Sequence, residues 1–225
     1  MCWWRNGYGN DYREVDGDFL TQVIVIRHGR TEWNRVERFR GRANLELDEV
    51  GIKQAEATAE RVAEWPVEAV YCSPLQRTLT TASIIARRFG LDAEPLPGII
   101  DINYGEWQGL TPEEAKAKDS SLYTKWLESP HIAEFPGGES LAIVRQRAAS
   151  AVDGLLRRYS EGVIALVSHK VVCQILILHF LGLDNSHFWQ IGQDVSAINV
   201  FEVDGRNAYA SLLNDTCHLR KKGLV

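Results

Sequence analysis

Val23–Asn34 reads VIVIRHGRTEWN, four β-branched residues running directly into Arg27-His28-Gly29. A short apolar run of this kind that stops at a glycine suits a buried parallel strand better than a helix. Val163–Val172, VIALVSHKVV, repeats the arrangement and ends its apolar run on Ser168-His169. Working outward from these two strands, Glu46–Glu64 has apolar residues at helical spacing behind a cap at Asp48, and Val67–Tyr71 is a further strand. Leu75–Phe89 predicts a helix closed by Gly90, Leu91–Leu96 a short strand, and Pro112–Leu127 one or two helices. Glu139–Tyr159 predicts a long helix, and Val171–Leu181, apolar all round, a central one. Ile198–Val203 and Ala208–Leu213 flank Asp204-Gly205-Arg206-Asn207, a hairpin signal. The alternation implies a three-layer α/β/α sandwich with a mostly parallel central sheet and an antiparallel edge strand.

Composition narrows what such a domain can do. The chain has 225 residues, 45% hydrophobic and 24% charged, which is ordinary globular composition. Its net charge of −5 argues against a nucleic-acid partner, because no overall positive field draws in a polyanion. No apolar run reaches the roughly 18 residues of a membrane span, and the first residues lack the apolar stretch of a signal peptide. Cys2, Cys72, Cys173 and Cys217 show no ligand spacing and read as reduced thiols of a cytoplasmic protein. His131, His179, His187 and His218 show no ligand spacing either, so neither a metal nor a cofactor is expected. Residues 1–18, polar and aromatic, read as an N-terminal extension, and residues 19–225 as a single domain. The apolar Val171–Leu181 helix and Phe188-Trp189 fit either a core or a homodimer surface.

In doubly wound sheets, ligands bind beyond the carboxyl ends of the strands. Two strands here end on His28 and His169, and a third runs through Tyr71-Cys72-Ser73-Pro74 into a helix whose first turn carries Arg77. If these strands are neighbours, Arg27, His28, Arg77 and His169 converge on one crevice. Two guanidiniums and two imidazoles in one cleft make a site for a small anion, since arginine forks match phosphate oxygens and a neutral imidazole is a nucleophile or donor near neutral pH.

Arg27-His28-Gly29, with Thr31 and Asn34 behind it, resembles the signature of the histidine phosphatase superfamily, the phosphoglycerate mutase-like fold. Ser73-Pro74-Leu75-Gln76-Arg77-Thr78 resembles its second arginine motif, and Asp101–Gly109, DINYGEWQG, its acid-containing segment. Pro136–Ser140, PGGES, resembles a stretch common in the phosphatase branch, and Ser168-His169 the second histidine. These motifs fall in family order over residues 22–203.

The resemblance implies a metal-independent phosphomonoester hydrolase acting on a small phosphorylated metabolite. His28 would be the nucleophile that forms a phosphohistidine, with Arg27, Arg77, His169 and Asn34 around the phosphate oxygens. It puts the general acid at Asp101, where glutamate is usual, with Glu106 as the substitute. Lys170 stands where glycine is common, and Arg30 where an acidic or amide residue is. Arg30 and Lys170 are therefore candidate rim residues for a second negative group on the substrate. Six arginines, at 27, 30, 35, 38, 40 and 42, either belong to that basic rim or form a solvated loop balanced by Glu32 and Glu37. Two other activities stay open. A cofactor-dependent phosphoglycerate mutase usually carries a longer insertion than the compact Asp101–Glu139 segment. A non-catalytic phospho-ligand binding protein typically lacks the histidine or an arginine.

Overall fold

The computed structural model describes residues 20–205 and 207–224; the N-terminal extension expected over 1–18 lies outside them. In chain order the main elements are β1 (Leu20–Arg27), α1 (Glu32–Arg35), α2 (Glu49–Val62), β2 (Val67–Cys72), α3 (Gln76–Arg87) and β3 (Ala93–Pro95). They continue with α4 (Pro112–Lys118), α5 (Ser120–Glu128), α6 (Leu141–Arg158), β4 (Gly162–Ser168), α7 (Lys170–Phe180), β5 (Ile198–Asp204), β6 (Asn207–Asp215) and α8 (Cys217–Arg220).

The six strands form one sheet in the order β3-β2-β4-β1-β5-β6. β1, β2, β3 and β4 run parallel, β5 runs against β1, and β6 turns back along β5 as the outer strand of the antiparallel pair. The alternation of side chains along β1 divides the core. Val23 and Val25 face one apolar cluster with Leu141, Val144 and the α7 residues, while Ile24 and Ile26 face another with Ala59, Val62, Ala82 and Ile85. One layer therefore holds α5, α6 and α7, and the opposite layer α2 and α3. Because both faces are covered, β1 and β4 are buried nearly end to end, whereas β6 alternates exposed and half-buried residues.

Local chemistry sets the element ends. The Asp48 carboxylate accepts from the Gly51 amide and starts α2, as its spacing predicted. Thr111 and Glu114 form a capping box that starts α4, and Asp119 caps α5, so Pro112–Leu127 resolves into two helices. α7 sits in the core with nine of its residues buried, which settles the choice posed by its all-round apolar pattern.

The crossing of the chain after β1 over the start of α2 matters most for the site. A Cβ on Gly29 would stand 2.4 Å from the Gly51 carbonyl oxygen, and one on Gly51 would stand 2.0 Å from the Arg30 carbonyl oxygen. Only two glycines permit this backbone contact, which fixes where the segment following His28 can run.

Candidate active site

β2, β4 and β1 are neighbours, so the convergence the sequence required is met. Arg27 pairs with Ser168 across β1 and β4, Cys72 pairs with Val167 across β2 and β4, and the His28 amide donates to the Ser168 carbonyl at 3.0 Å. His28 and His169 emerge side by side with ring centroids 5.2 Å apart, edge to face.

The His28 ring is held at 2.6 Å by the Gly29 carbonyl through Nδ1. A carbonyl can only accept, so Nδ1 carries the proton and Nε2 keeps its lone pair. Burial, then the charges of Arg77, Arg27 and Arg40, hold this imidazole well below the ordinary histidine range, so it is neutral. His169 is also pushed well down, by burial and then by Arg77. Its Nδ1 accepts from Arg77 Nε at 3.1 Å, so its proton lies on Nε2 and is donated to the Ser73 hydroxyl at 2.7 Å.

Arg77 is fully buried and binds four groups. Nε goes to His169, Nη1 to the Ala43 carbonyl, and Nη2 to both the Gly41 carbonyl and Asp101 Oδ2. Four of its five N–H groups are thus committed within the protein. Asp101 is 5% exposed; Oδ1 accepts from the Ile102 amide and Oδ2 from Arg77 at 3.1 Å. Burial nonetheless raises its carboxyl above the ordinary aspartate range, against the opposing pull of Arg77 and Arg40. That is the direction a proton donor needs.

A cavity of about 330 Å³ opens in front of these groups, and Arg27, His28, Asn34, Arg40, Asp101 and Lys170 are on its wall. The Arg27 Nη1 is tied to the Gln193 carbonyl, while its buried Nε has no partner. Burial and Arg40 pull this guanidinium down to about 10. Asn34 accepts at Oδ1 from Thr31, backbone and hydroxyl, which orients its amide nitrogen away from that turn.

The sequence profile of the histidine phosphatase superfamily (branch 1) matches residues 23–216. The chain belongs to that superfamily. Phosphoserine phosphatase 1 of Hydrogenobacter thermophilus is 36% identical over 200 residues, covering 89% of this chain and 95% of that protein. Among solved structures, Bacillus stearothermophilus YhfR superposes with a TM-score of 0.84 at 27% identity, over 88% of this chain and 99% of that one. A mutant phosphoserine phosphatase from Entamoeba histolytica in complex with phosphoserine superposes with a TM-score of 0.79 at 28% identity, over 88% and 99%.

At the back of this superfamily site Arg77 and His169 are buried, each bonded to protein groups. A phosphate oxygen reaches the His169 N–H only by displacing or sharing the Ser73 hydroxyl. Arg30 is not a rim residue: its Nε is paired with Asp48 at 2.8 Å, since the glycine crossing carries it to the start of α2. Lys170 does line the cavity, with Nζ 5.7 Å from the Trp189 ring centroid, and burial then Arg27 lower its pKa. Glu106 is exposed and paired with Lys118 at 2.9 Å, which removes the substitute for Asp101. Two site residues were not singled out from sequence. Ser73 was quoted only as motif, and Arg40 only as one of six arginines.

Among the described residues, no three His, Cys, Asp or Glu side chains come together as a metal-ligand set. No helix there is long and apolar enough to cross a membrane.

Proposed function

We propose that this chain hydrolyses small phosphomonoesters through a phosphohistidine on His28. The observation that carries the reading is the imidazole pinned by Gly29, with its lone pair on Nε2 at a cavity walled by cations and a buried acid. The Nε2 lone pair attacks phosphorus as the ester P–O bond breaks. Asp101 gives its proton to the departing alkoxide, leaving an alcohol, a carboxylate and phosphorylated His28. The Asp101 carboxylate then takes a proton from water as the water oxygen attacks phosphorus. The P–N bond returns its electrons to Nε2, and inorganic phosphate leaves with Asp101 protonated again. Arg27 and Asn34 hold the nonbridging oxygens, with the remaining Arg77 N–H as a further donor. His169, stacked edge-on against His28 and tied to Ser73, keeps the nucleophile's ring in place.

Lys170 suits a substrate with a second anionic group. O-phosphoserine is the first compound to test, since a relative that covers nearly the whole chain is named for it. The reading includes residues 19–225 acting as one catalytic domain, with residues 1–18 as an extension. It also includes a cytoplasmic setting, where the free thiols Cys72, Cys173 and Cys217 stay reduced.

The test is phosphate release from p-nitrophenyl phosphate and from O-phosphoserine in EDTA, for wild type and His28→Ala. Turnover that survives EDTA and disappears in the variant, with an acid-labile phosphoenzyme in wild type alone, is the expected result. Undiminished activity in His28→Ala would exclude the mechanism. Conversion of 3-phosphoglycerate to 2-phosphoglycerate without phosphate release would mark a mutase instead.

A further inference from the structure

In phosphohistidine chemistry at His28, Asp101 moves the proton, while Glu139, the acid of Pro136–Ser140, has no assigned part. Asp101 stands in an irregular loop after β3, and the carbonyls of such a loop need donors from outside it. One side chain provides three of them. Arg147, in the second turn of α6, donates from Nη1 to the Gly98 carbonyl at 2.8 Å and the Ile100 carbonyl at 2.7 Å, and from Nη2 to the Asp101 carbonyl at 3.2 Å. Its other two N–H groups go to Glu139, Nε to Oε1 and Nη2 to Oε2, both at 3.0 Å. All five donors of the guanidinium are therefore committed to protein groups.

Glu139 holds the far side of the same loop. Its Oε2 accepts from the Asn103 amide at 2.9 Å, and its own amide donates to the Asn103 carbonyl at 2.8 Å. The Arg147–Glu139 pair is sheltered, with side chains 19% and 12% exposed. The more exposed Arg42 joins it, bonding Glu139 Oε1 at 3.1 Å and the Asp101 carbonyl at 3.4 Å. Gly98 lets the loop lie directly on α6, because a Cβ there would stand 2.4 Å from the Ala151 Cβ and 3.0 Å from the Arg147 carbonyl oxygen. The backbone on both sides of Asp101 is thus fastened to one ion pair, while the carboxyl itself meets only the Ile102 amide and Arg77. We propose that Arg147 and Glu139 are positioning residues for the proton transfers of Asp101, setting where its carboxyl stands relative to the ester oxygen at His28. This rests on the phosphohistidine reading and adds two residues that act only through the Asp101 loop. A lysine cannot reproduce a fork with five fixed contacts, and a shift of a reacting group by about 1 Å costs about 10²-fold. The consequence is selective. Loosening the pair impairs an ester whose leaving group needs a proton and spares one whose leaving group does not.

The experiment measures kcat/KM for an alkyl ester that wild type turns over, O-phosphoserine first, and for p-nitrophenyl phosphate. The proteins are wild type, Arg147→Lys, Glu139→Gln and Arg42→Ala, and a thermal midpoint shows which variants are folded. This constant covers the steps through formation of the phosphoenzyme, so the later hydrolysis does not enter it. In Arg147→Lys and Glu139→Gln the alkyl ester should lose about 10²-fold, while p-nitrophenyl phosphate should stay within about threefold of wild type. Arg42→Ala removes an exposed member and keeps the ion pair, so it should fold and shift the ratio of the two esters in the same direction by a smaller factor. Equal losses on both esters in the folded variants would mean that the pair only holds up the fold, and an unchanged ratio that the loop needs no such clamp. Either result would overturn the proposal. Asp101→Asn separates the underlying reading. If that variant also leaves the ratio unchanged, Asp101 is not the acid; if it alone moves the ratio, only the positioning role fails.

Discussion

Replacing Asp101 by asparagine separates the two chemical steps. Asparagine keeps the shape but only one of the two acceptor oxygens, which now take bonds from the Ile102 amide at 3.0 Å and Arg77 Nη2 at 3.1 Å, and it can neither give nor take a proton. Phosphorylation of His28 by O-phosphoserine expels a poor alkoxide, so it should lose the full contribution of general acid catalysis, about 10²–10⁴-fold. p-Nitrophenolate leaves without a proton, so phosphorylation by that ester should fall far less. Hydrolysis of the phosphohistidine still needs the missing base. Rapid mixing of Asp101→Asn with p-nitrophenyl phosphate should therefore give a burst of about one p-nitrophenolate per site, then a slow steady state, with acid-labile phosphoenzyme accumulating. The carboxyl is 5% exposed beside a fully buried guanidinium. Removing it outright, as Asp101→Ala, should cost about 3–5 kcal/mol of stability. The asparagine variant should lose less, which is why it is the better probe. Equal loss on both esters in a folded Asp101→Asn, with no burst and no trapped phosphoenzyme, would show that Asp101 serves neither step.

Three further outcomes follow from the same geometry. Both site histidines sit below 6.5 in the folded chain, so the unfolded chain takes up protons first as pH falls. Stability should accordingly drop between about pH 7 and 5, and the slope of the thermal midpoint over that range should be shallower in His28→Gln. Gly51→Ala forces a Cβ to within 2.0 Å of the Arg30 carbonyl oxygen; it should cost on the order of 1–3 kcal/mol or more and reduce activity through displacement of the segment after His28. An unchanged melting temperature would discount that contact. Inorganic phosphate at about a hundred times its dissociation constant should stabilise the protein by about 2.7 kcal/mol, and this increment should shrink in Arg27→Ala, as read by thermal melts.

Much of this arrangement was legible because strand burial and motif order are written locally. VIVIRHG and VIALVSH both declare a covered strand and what stands at its end, and the apolar α7 pattern places a helix beneath them. What sequence could not supply was the partner of each charge. Arg30 looks like rim because it directly follows Arg27-His28-Gly29, yet the Gly29–Gly51 contact turns its side chain to Asp48, eighteen positions on. Arg40 looks like one more surface charge in a basic run, and only the folded chain sets it on the cavity wall beside Arg27. Ser73 was visible as a residue of the β2–α3 turn, but its bond to His169 depends on β2 lying beside β4, a long-range pairing that periodicity does not encode. The short helices α1 and α8, four residues each, carry too few periodic positions to be seen.

The charge arrangement explains why one chain can keep a neutral nucleophile among cations. The His28 imidazole, beside Arg27, Arg40 and Arg77, resists a second proton, because burial and three positive neighbours all oppose it. The same cations that suppress protonation of Nε2 attract the dianion it attacks, so nucleophilicity and substrate binding arise from one field. Asp101 answers that field differently. Its burial outweighs its cationic neighbours and raises its carboxyl while the histidines are lowered. Lowering the histidine and raising the carboxyl favours an unprotonated nucleophile beside a protonated acid, as the chemistry requires. In this site the contrast comes from where each side chain emerges: His28 at the end of β1 facing a carbonyl, and Asp101 in the loop after β3 beneath Arg77.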